Sequence, residues 1–144
     1  KIAVQNHCGK YIYTTMELKN LLDGCDKEWV GASWDCAHSG LAGEMPEHAI
    51  SLVMDRILMV NMVSAYYKRE DLSDKAFYFP CFTTARFGNC DWRRVVRYLL
   101  HHDFEGVYCM HAEYADSENT EQNVIIDRKY LDTVLEEEGY YKLL

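Results

Sequence analysis

Four short apolar segments alternate with helical patterns along this chain, and each of them ends in polar residues. The segments with strand-like character are Ile2–Val4, Val30–Trp34, Ile57–Met62 and Val107–Glu113. Between the first two, Leu18, Leu21, Leu22 and Cys25 recur at the spacing of one helix face. Strands that alternate with helices favour right-handed parallel crossovers, so the sequence predicts an α/β fold built from four parallel βα units.

Helix-start signals support this division. Thr14 and Glu17 have the spacing of a capping box, Pro46 suits the first turn of a second helix, and Asp91 can cap a third. A final helix is indicated by the apolar residues Ile125, Ile126, Tyr130, Leu131, Val134 and Leu135. The stretch Ser64–Asn89 is predicted to be a long loop.

The length of the chain sets the size of the predicted sheet. A closed (β/α)8 barrel takes roughly 250 residues, whereas this sequence has 144. We therefore interpret residues 1–144 as a single fragment, half of a TIM barrel. The chain begins inside a strand-like run without Met, and we expect further sequence upstream. Open sheet edges should be covered by an N-terminal half-barrel or by a second copy, and a homo-oligomer is expected.

Composition excludes several kinds of partner. The net charge of −8 disfavours nucleic acid as a partner. No apolar run approaches the roughly 18 residues of a membrane span, so no membrane association is expected. Six cysteines without a CxxC motif favour reduced thiols in a cytoplasmic protein over a disulfide scaffold.

The polar strand ends are the candidate site. The carboxyl ends of barrel strands converge on one face, where active sites are built. The polar groups predicted to meet there are Gln5-Asn6-His7, Asp35-Cys36-Ala37-His38, Asn61 and Glu113. Asp35 and Glu113 are carboxylates able to hold a divalent metal, while Gln5 and Asn61 are neutral amides.

Several motifs carry a resemblance to a known family. In order and spacing, the segments VQNH, WDCAHSGLAGEMPE, ILMVN, TTARFGNCDW and CMHAEY resemble the C-terminal half of the sugar phosphate isomerase/epimerase family with the xylose-isomerase-like barrel. The resemblance covers essentially the whole chain and implies that its four strands are the fifth to the eighth of the barrel. Active epimerases of this family hold one divalent metal through Glu, Asp, His and Glu at these strand ends.

Carried onto this sequence, the resemblance implies a metal site at Gln5, Asp35, Asn61 and Glu113, with Glu113 also acting as the catalytic acid/base group. Mn, Mg, Co or Zn would suit such a site. Gln5 stands in place of the first Glu and Asn61 in place of the His. Both replacements should weaken metal binding or abolish it.

The same resemblance implies a substrate pocket for a sugar or polyol. His7, His38 and Arg86 are expected to contact substrate oxygens, and Trp34 could stack on a sugar ring. Each residue also has a structural alternative, because His38 could satisfy loop amides and Arg86 could be an unpaired loop residue.

Three functions remain open on the sequence alone. The first is a metal-dependent sugar isomerase or epimerase that transfers protons in aldose–ketose or related chemistry. The second is a carbohydrate-binding barrel that has lost catalysis. The third is an abasic-site endonuclease, which shares the barrel and the DxxH strand end, although the acidic balance and the missing His argue against it.

Overall fold

The computed structural model describes residues 1–73 and 75–140. Its centre is a sheet of four parallel strands in the order β1-β2-β3-β6. The strands are β1 (Ile2–Gln5), β2 (Val30–Asp35), β3 (Ile57–Met62) and β6 (Val107–Met110). The four predicted strands and their parallel direction are confirmed, and the chain forms a half-barrel.

Five helices accompany the strands in the described part of the chain. They are α1 (Thr15–Asp23), α2 (Cys36–Leu41), α3 (Pro46–Val53), α4 (Trp92–His101) and α5 (Thr120–Glu137). Short 3₁₀ turns cover Met54–Arg56, Ala85–Phe87 and Ser117–Asn119. The capping box of Thr14 and Glu17 and the Asp91 cap are both formed, because these side chains satisfy free N–H groups of the first turn.

The hydrophobic core lies between one face of the sheet and the helices. Alternate strand residues such as Ala32, Trp34, Val60 and Met62 supply the sheet side. The helices contribute the buried residues Leu18, Leu22, Ile50, Val53, Val95, Val96, Leu99, Leu131, Val134 and Leu135. The intervening strand residues therefore face the interior of the barrel, among them the aligned residues Asp35, Asn61 and Cys109.

The stretch predicted as a long loop is a β-hairpin instead. β4 (Ser64–Arg69) pairs antiparallel with β5 (Tyr78–Thr83), so the prediction of irregular structure was wrong. Both strands are rich in aromatic residues, with Tyr66 and Tyr67 in β4 and Tyr78, Phe79 and Phe82 in β5, a composition that favours extended structure. The base of the hairpin covers the carboxyl end of the sheet, where Phe82 packs against the small cluster of Ala37, Leu41, Val63 and Ala65.

Both outer strands of the sheet have one hydrogen-bonded neighbour each among the described residues. β1 pairs with β2 alone, and β6 pairs with β3 alone. Apolar side chains on these outer strands are open to solvent, with Ile2 67% and Val107 60% exposed. The sheet thus ends in two edges that can accept further strands.

Candidate active site

The Asp35 carboxylate is the buried centre of the carboxyl face. Asp35 ends β2, is fully buried, and caps α2 by accepting a hydrogen bond from the backbone N–H of His38 over 3.1 Å. The three-residue spacing of Asp35 and His38 is therefore the spacing of a helix cap. It fixes the carboxylate at the strand end and places the imidazole in the first helical turn.

Amide side chains from both neighbouring strands surround this carboxylate. Gln5 donates from Nε2 to Asp35 Oδ2 over 2.9 Å, and Asn61 forms a further side-chain hydrogen bond to it. Asn6 pairs with the Asp35 backbone in both directions, accepting at 2.9 Å and donating at 3.3 Å. Three of the predicted site residues, Gln5, Asp35 and Asn61, thus meet at one point.

Burial dominates the protonation of Asp35. Loss of solvent raises its pKa from 3.8 to about 6, and the hydrogen bond from His38 N–H, the attraction of His111 and the hydrogen bond from Asn61 only partly oppose this. The carboxyl group therefore titrates close to neutrality, which suits a group that accepts and returns a proton.

His111 is a site residue that the sequence analysis missed. Its Nδ1 lies 4.0 Å from Asp35 Oδ2 and 3.8 Å from Glu113 Oε2. This nitrogen is shielded from solvent and has no hydrogen-bond partner in the described part of the chain. Alternation along the strand could have identified His111, because it lies two residues after Cys109 and two before Glu113, on the same face of the extended chain.

The sequence analysis placed Glu113 at the end of the last strand, and this placement is wrong. β6 stops at Met110, and the Glu113 side chain lies in the following loop with 47% of its surface exposed. The roles of Glu113 as a metal ligand and as the catalytic acid/base group stay predictions. Glu113 approaches the site at His111, whose Nδ1 is 3.8 Å from Glu113 and 4.0 Å from Asp35.

His7 and His38 lie side by side next to this group. Their ring centroids are 3.9 Å apart with the planes tilted by 32°, and Phe82 meets the ring of His38 edge-on at 5.6 Å. His38 is fully buried and neither ring nitrogen has a hydrogen-bond partner among the described residues. Burial, followed by the neighbouring His7 and His111, lowers the pKa of His38 to about 3. Its imidazole is neutral.

Trp34 and Arg86 were both predicted to contact substrate, and in the structure each contacts another protein residue. Trp34 is fully buried on the helix side of β2 and donates from Nε1 to Thr15 Oγ1 over 3.0 Å, so stacking on a sugar is wrong for this residue. The guanidinium of Arg86 lies 4.6 Å from the ring centroid of Tyr130 on α5. A substrate contact of Arg86 stays a prediction.

The strand-end residues do not fit the divalent metal that the resemblance implies. A hard cation needs oxygen lone pairs directed at it, but the amide N–H groups of Gln5 and the backbone N–H of His38 point at the Asp35 carboxylate. Asn61 also hydrogen-bonds it, and Glu113 lies half-exposed in the loop after β6. Gln5 and Asn61 thus supply neither the negative charge nor the imidazole of the metal site that the resemblance implies.

Residues 1–134 match the family model of the xylose isomerase-like TIM barrel. The chain belongs to this family. Curated relatives include inosose dehydratases of Bacillus velezensis, 28% identical over 142 residues, and of Clostridium botulinum, 27% identical over 139 residues. These matches cover 93% and 91% of this chain but 48% and 47% of the relatives, so this xylose isomerase-like chain spans about half their length.

Solved structures show the same fold. A xylose isomerase-like TIM barrel protein from Mycobacterium smegmatis in complex with magnesium superposes with a TM-score of 0.71 at 18% identity. It is matched over 96% of this chain and 44% of its own. A D-tagatose 3-epimerase-like protein gives a TM-score of 0.63 at 19% identity, and the match covers 95% of this chain and 49% of that protein.

None of the described helices could span a bilayer.

Proposed function

We propose that the barrel containing these four βα units transfers protons at a carbon next to a carbonyl group in a polyhydroxylated substrate, a keto sugar or a keto cyclitol. The observation that carries this proposal is the buried Asp35 carboxyl group, with its pKa near 6, placed 4.0 Å from His111 at the carboxyl end of the sheet. A carboxylate of this pKa is ionised at pH 7 yet basic enough to accept a proton.

The names of similar proteins support this class of reaction. A dehydratase acting on an inosose and a 3-epimerase acting on a ketose can both begin by removing a proton from a carbon beside a carbonyl. The two reactions differ in their second step, because one expels a hydroxyl group and the other returns the proton. We therefore propose only the proton-transfer step that the two reactions share.

In this proposal Asp35 is the base, and His111, 4.0 Å away, stabilises the ionised form of its carboxyl group. Glu113, 3.8 Å from His111, connects the buried carboxyl group to solvent and exchanges the proton. His7 and His38 contact substrate hydroxyl groups, and Arg86 remains a further candidate contact.

The test is hydrogen exchange in D₂O, followed by NMR, with the intact protein and an inosose or a ketohexose. Deuterium should enter the carbon next to the carbonyl, and Asp35→Asn should slow this exchange by about 100-fold or more, since general-base catalysis contributes 10²–10⁴-fold. Asp55→Asn, an equivalent change at an exposed residue, should leave the rate unchanged. Exchange that survives in Asp35→Asn would overturn the assignment of the base.

A second candidate is a carbohydrate-binding barrel without catalysis. It is favoured by the amide hydrogen bonds of Gln5 and Asn61, which hold Asp35 in one orientation as a structural residue would be held. This candidate predicts saturable binding of the same compounds, measured by calorimetry, without deuterium incorporation. The two functions are thus separated by one pair of measurements.

The open edges β1 and β6 support a further proposal about assembly. We infer that four more βα units, or a second copy, pair with them to close the barrel, because each has a free hydrogen-bonding side among the described residues. Native mass spectrometry of the intact protein should show either a polypeptide about twice this length or a dimer of this chain. A stable monomer of 144 residues would contradict closure.

A further inference from the structure

Three metal-binding side chains converge beside the proton-transfer group. One ligand atom each of His7, Cys8 and His38 lies within 4.8 Å of the other two. Cys8 is a free, half-buried thiol, and His7 is also half-buried. The cluster sits where β1 and β2 end, but it shares no residue with the metal set that the family resemblance implies.

The ring of His38 is the strongest sign that something binds here. It is fully buried, and both nitrogens lack a hydrogen-bond partner within the described part of the chain. A buried polar group without a partner is costly, so such a residue usually has a ligand or a water. A metal ion would take up one of these two nitrogens through its lone pair.

His7 has the tautomer that metal-binding histidines usually have. Its Nδ1 lies 2.8 Å from the carbonyl oxygen of Cys8. A carbonyl only accepts, so Nδ1 carries the proton and Nε2 keeps its lone pair. Histidine ligands commonly donate their second ring N–H to a backbone carbonyl in this way.

We propose that His7, Cys8 and His38 bind one zinc ion through two imidazole nitrogens and the Cys8 thiolate. Two nitrogens and one sulfur suit zinc better than the hard cations held by carboxylates. Three protein ligands leave a fourth position open, the arrangement found in catalytic rather than structural zinc sites. The thiol proton is released to solvent when the ion binds.

Binding requires one local movement. The stacked rings of His7 and His38, 3.9 Å apart, do not direct their lone pairs at one point. His38 is held by burial and by Phe82, whereas His7 is half-buried in the loop after β1. His7 therefore turns away from the stack when the ion binds, and its imidazole NMR signals should shift with zinc.

The experiment is a titration of the chelator-treated intact protein with Zn²⁺ and with Co²⁺ as a spectroscopic probe. One equivalent per chain should bind, and Co²⁺ should give a sulfur-to-metal charge-transfer band. Cys8→Ser should remove this band and weaken Zn²⁺ binding by about 100-fold or more. Cys25→Ser is the matched control, since Cys25 is a half-buried thiol near the end of α1, and it should bind like the unmodified protein.

His7→Gln provides a second variant at a half-buried position and should also weaken Zn²⁺ binding, with folding checked by near-ultraviolet circular dichroism. Unchanged affinity in both Cys8→Ser and His7→Gln would overturn the proposal. Binding that is lost in Asp35→Asn but kept in Cys8→Ser would also overturn it, since the ion would then occupy the strand-end carboxylate. Metal binding is measured without substrate, so a failure of the proposed proton transfer does not affect this test.

Discussion

Gln5 donates its side-chain N–H to Oδ2 of Asp35 over 2.9 Å, joining the ends of two neighbouring parallel strands. An amide at this position stabilises the carboxylate without adding negative charge. A glutamate in its place would repel Asp35 unless a cation lay between them. The identity of residue 5 therefore decides whether the strand ends attract a divalent ion or form a closed hydrogen-bonded group.

The double variant Gln5→Glu/Asn61→His tests this relationship. It replaces two amides by a carboxylate and an imidazole, and the affinity of the intact protein for Mn²⁺ should rise by at least about 10-fold, measured by calorimetry. Gln122→Glu adds the same charge on the exposed surface of α5 and should change nothing. Equal Mn²⁺ affinity in the double variant and the parent would refute this explanation of weak metal binding.

The pH dependence of stability should report Asp35 and His38 with opposite signs. The pKa of Asp35 is raised on folding from 3.8 to about 6, so its contribution falls as pH rises from 4 to 6. The pKa of His38 is lowered from 6.5 to about 3, so its contribution is lost as pH falls through this window. At about 1.4 kcal/mol per pKa unit, the two effects are on the order of 3 and 5 kcal/mol.

Chemical denaturation at several pH values separates these contributions. Between pH 4 and 6, Asp35→Asn should make the free energy of unfolding rise more steeply with pH than in the parent. His38→Gln should flatten or reverse the rise. Asp55→Asn, at an exposed position, should reproduce the parent curve. The same slope in all four proteins would show that neither buried group has the assigned protonation.

The sequence predicted where α1, α3 and α4 begin because their first turns are determined locally, whereas α2 was not predicted. The capping box at Thr14, the proline at Pro46 and the cap at Asp91 all act within one turn, and each helix begins where its signal lies. The parallel strands were equally predictable from their apolar runs. The hairpin of β4 and β5 was missed because its two strands are recognisable only through their pairing.

The candidate site was predictable in part. Asp35 faces the barrel interior, so alternation along β2 turns Trp34 to the helix side, and the predicted sugar contact of Trp34 overlooked this alternation. The end of β6 was harder to place, since no local signal separates Met110 from Glu113. His111 took the position expected of Glu113 because the strand stops early and the sheet's last backbone hydrogen bond, at 3.4 Å, is made by His111 to Met62.

Glu44 should prove to be a structural residue, although it belongs to the segment that carries the family resemblance. Its carboxylate accepts from Thr15 N at 2.9 Å, from Thr15 Oγ1 at 2.7 Å and from Ser39 Oγ at 2.8 Å, which ties α1 to α2. Glu44→Gln should lower the free energy of unfolding by about 2 kcal/mol, measured by urea denaturation. Glu28→Gln, on the exposed surface, is the control. If Glu44→Gln left the free energy of unfolding unchanged but abolished substrate binding, Glu44 would belong to the pocket instead.

Gly88 should tolerate no side chain, because the hairpin passes directly over it. A Cβ atom at this position would lie 1.8 Å from Ser64 Oγ and 2.6 Å from the backbone nitrogen of Ala65. Gly88→Ala should destabilise the protein by about 1–3 kcal/mol, as overpacking does elsewhere, and should displace the hairpin base beside the candidate site. Gly24→Ala is the matched change, since its Cβ would meet only Leu21 O at 3.5 Å. We expect Gly24→Ala to be neutral or slightly stabilising in the same urea denaturation, and equal stability of the two variants would show that the hairpin does not approach Gly88 this closely.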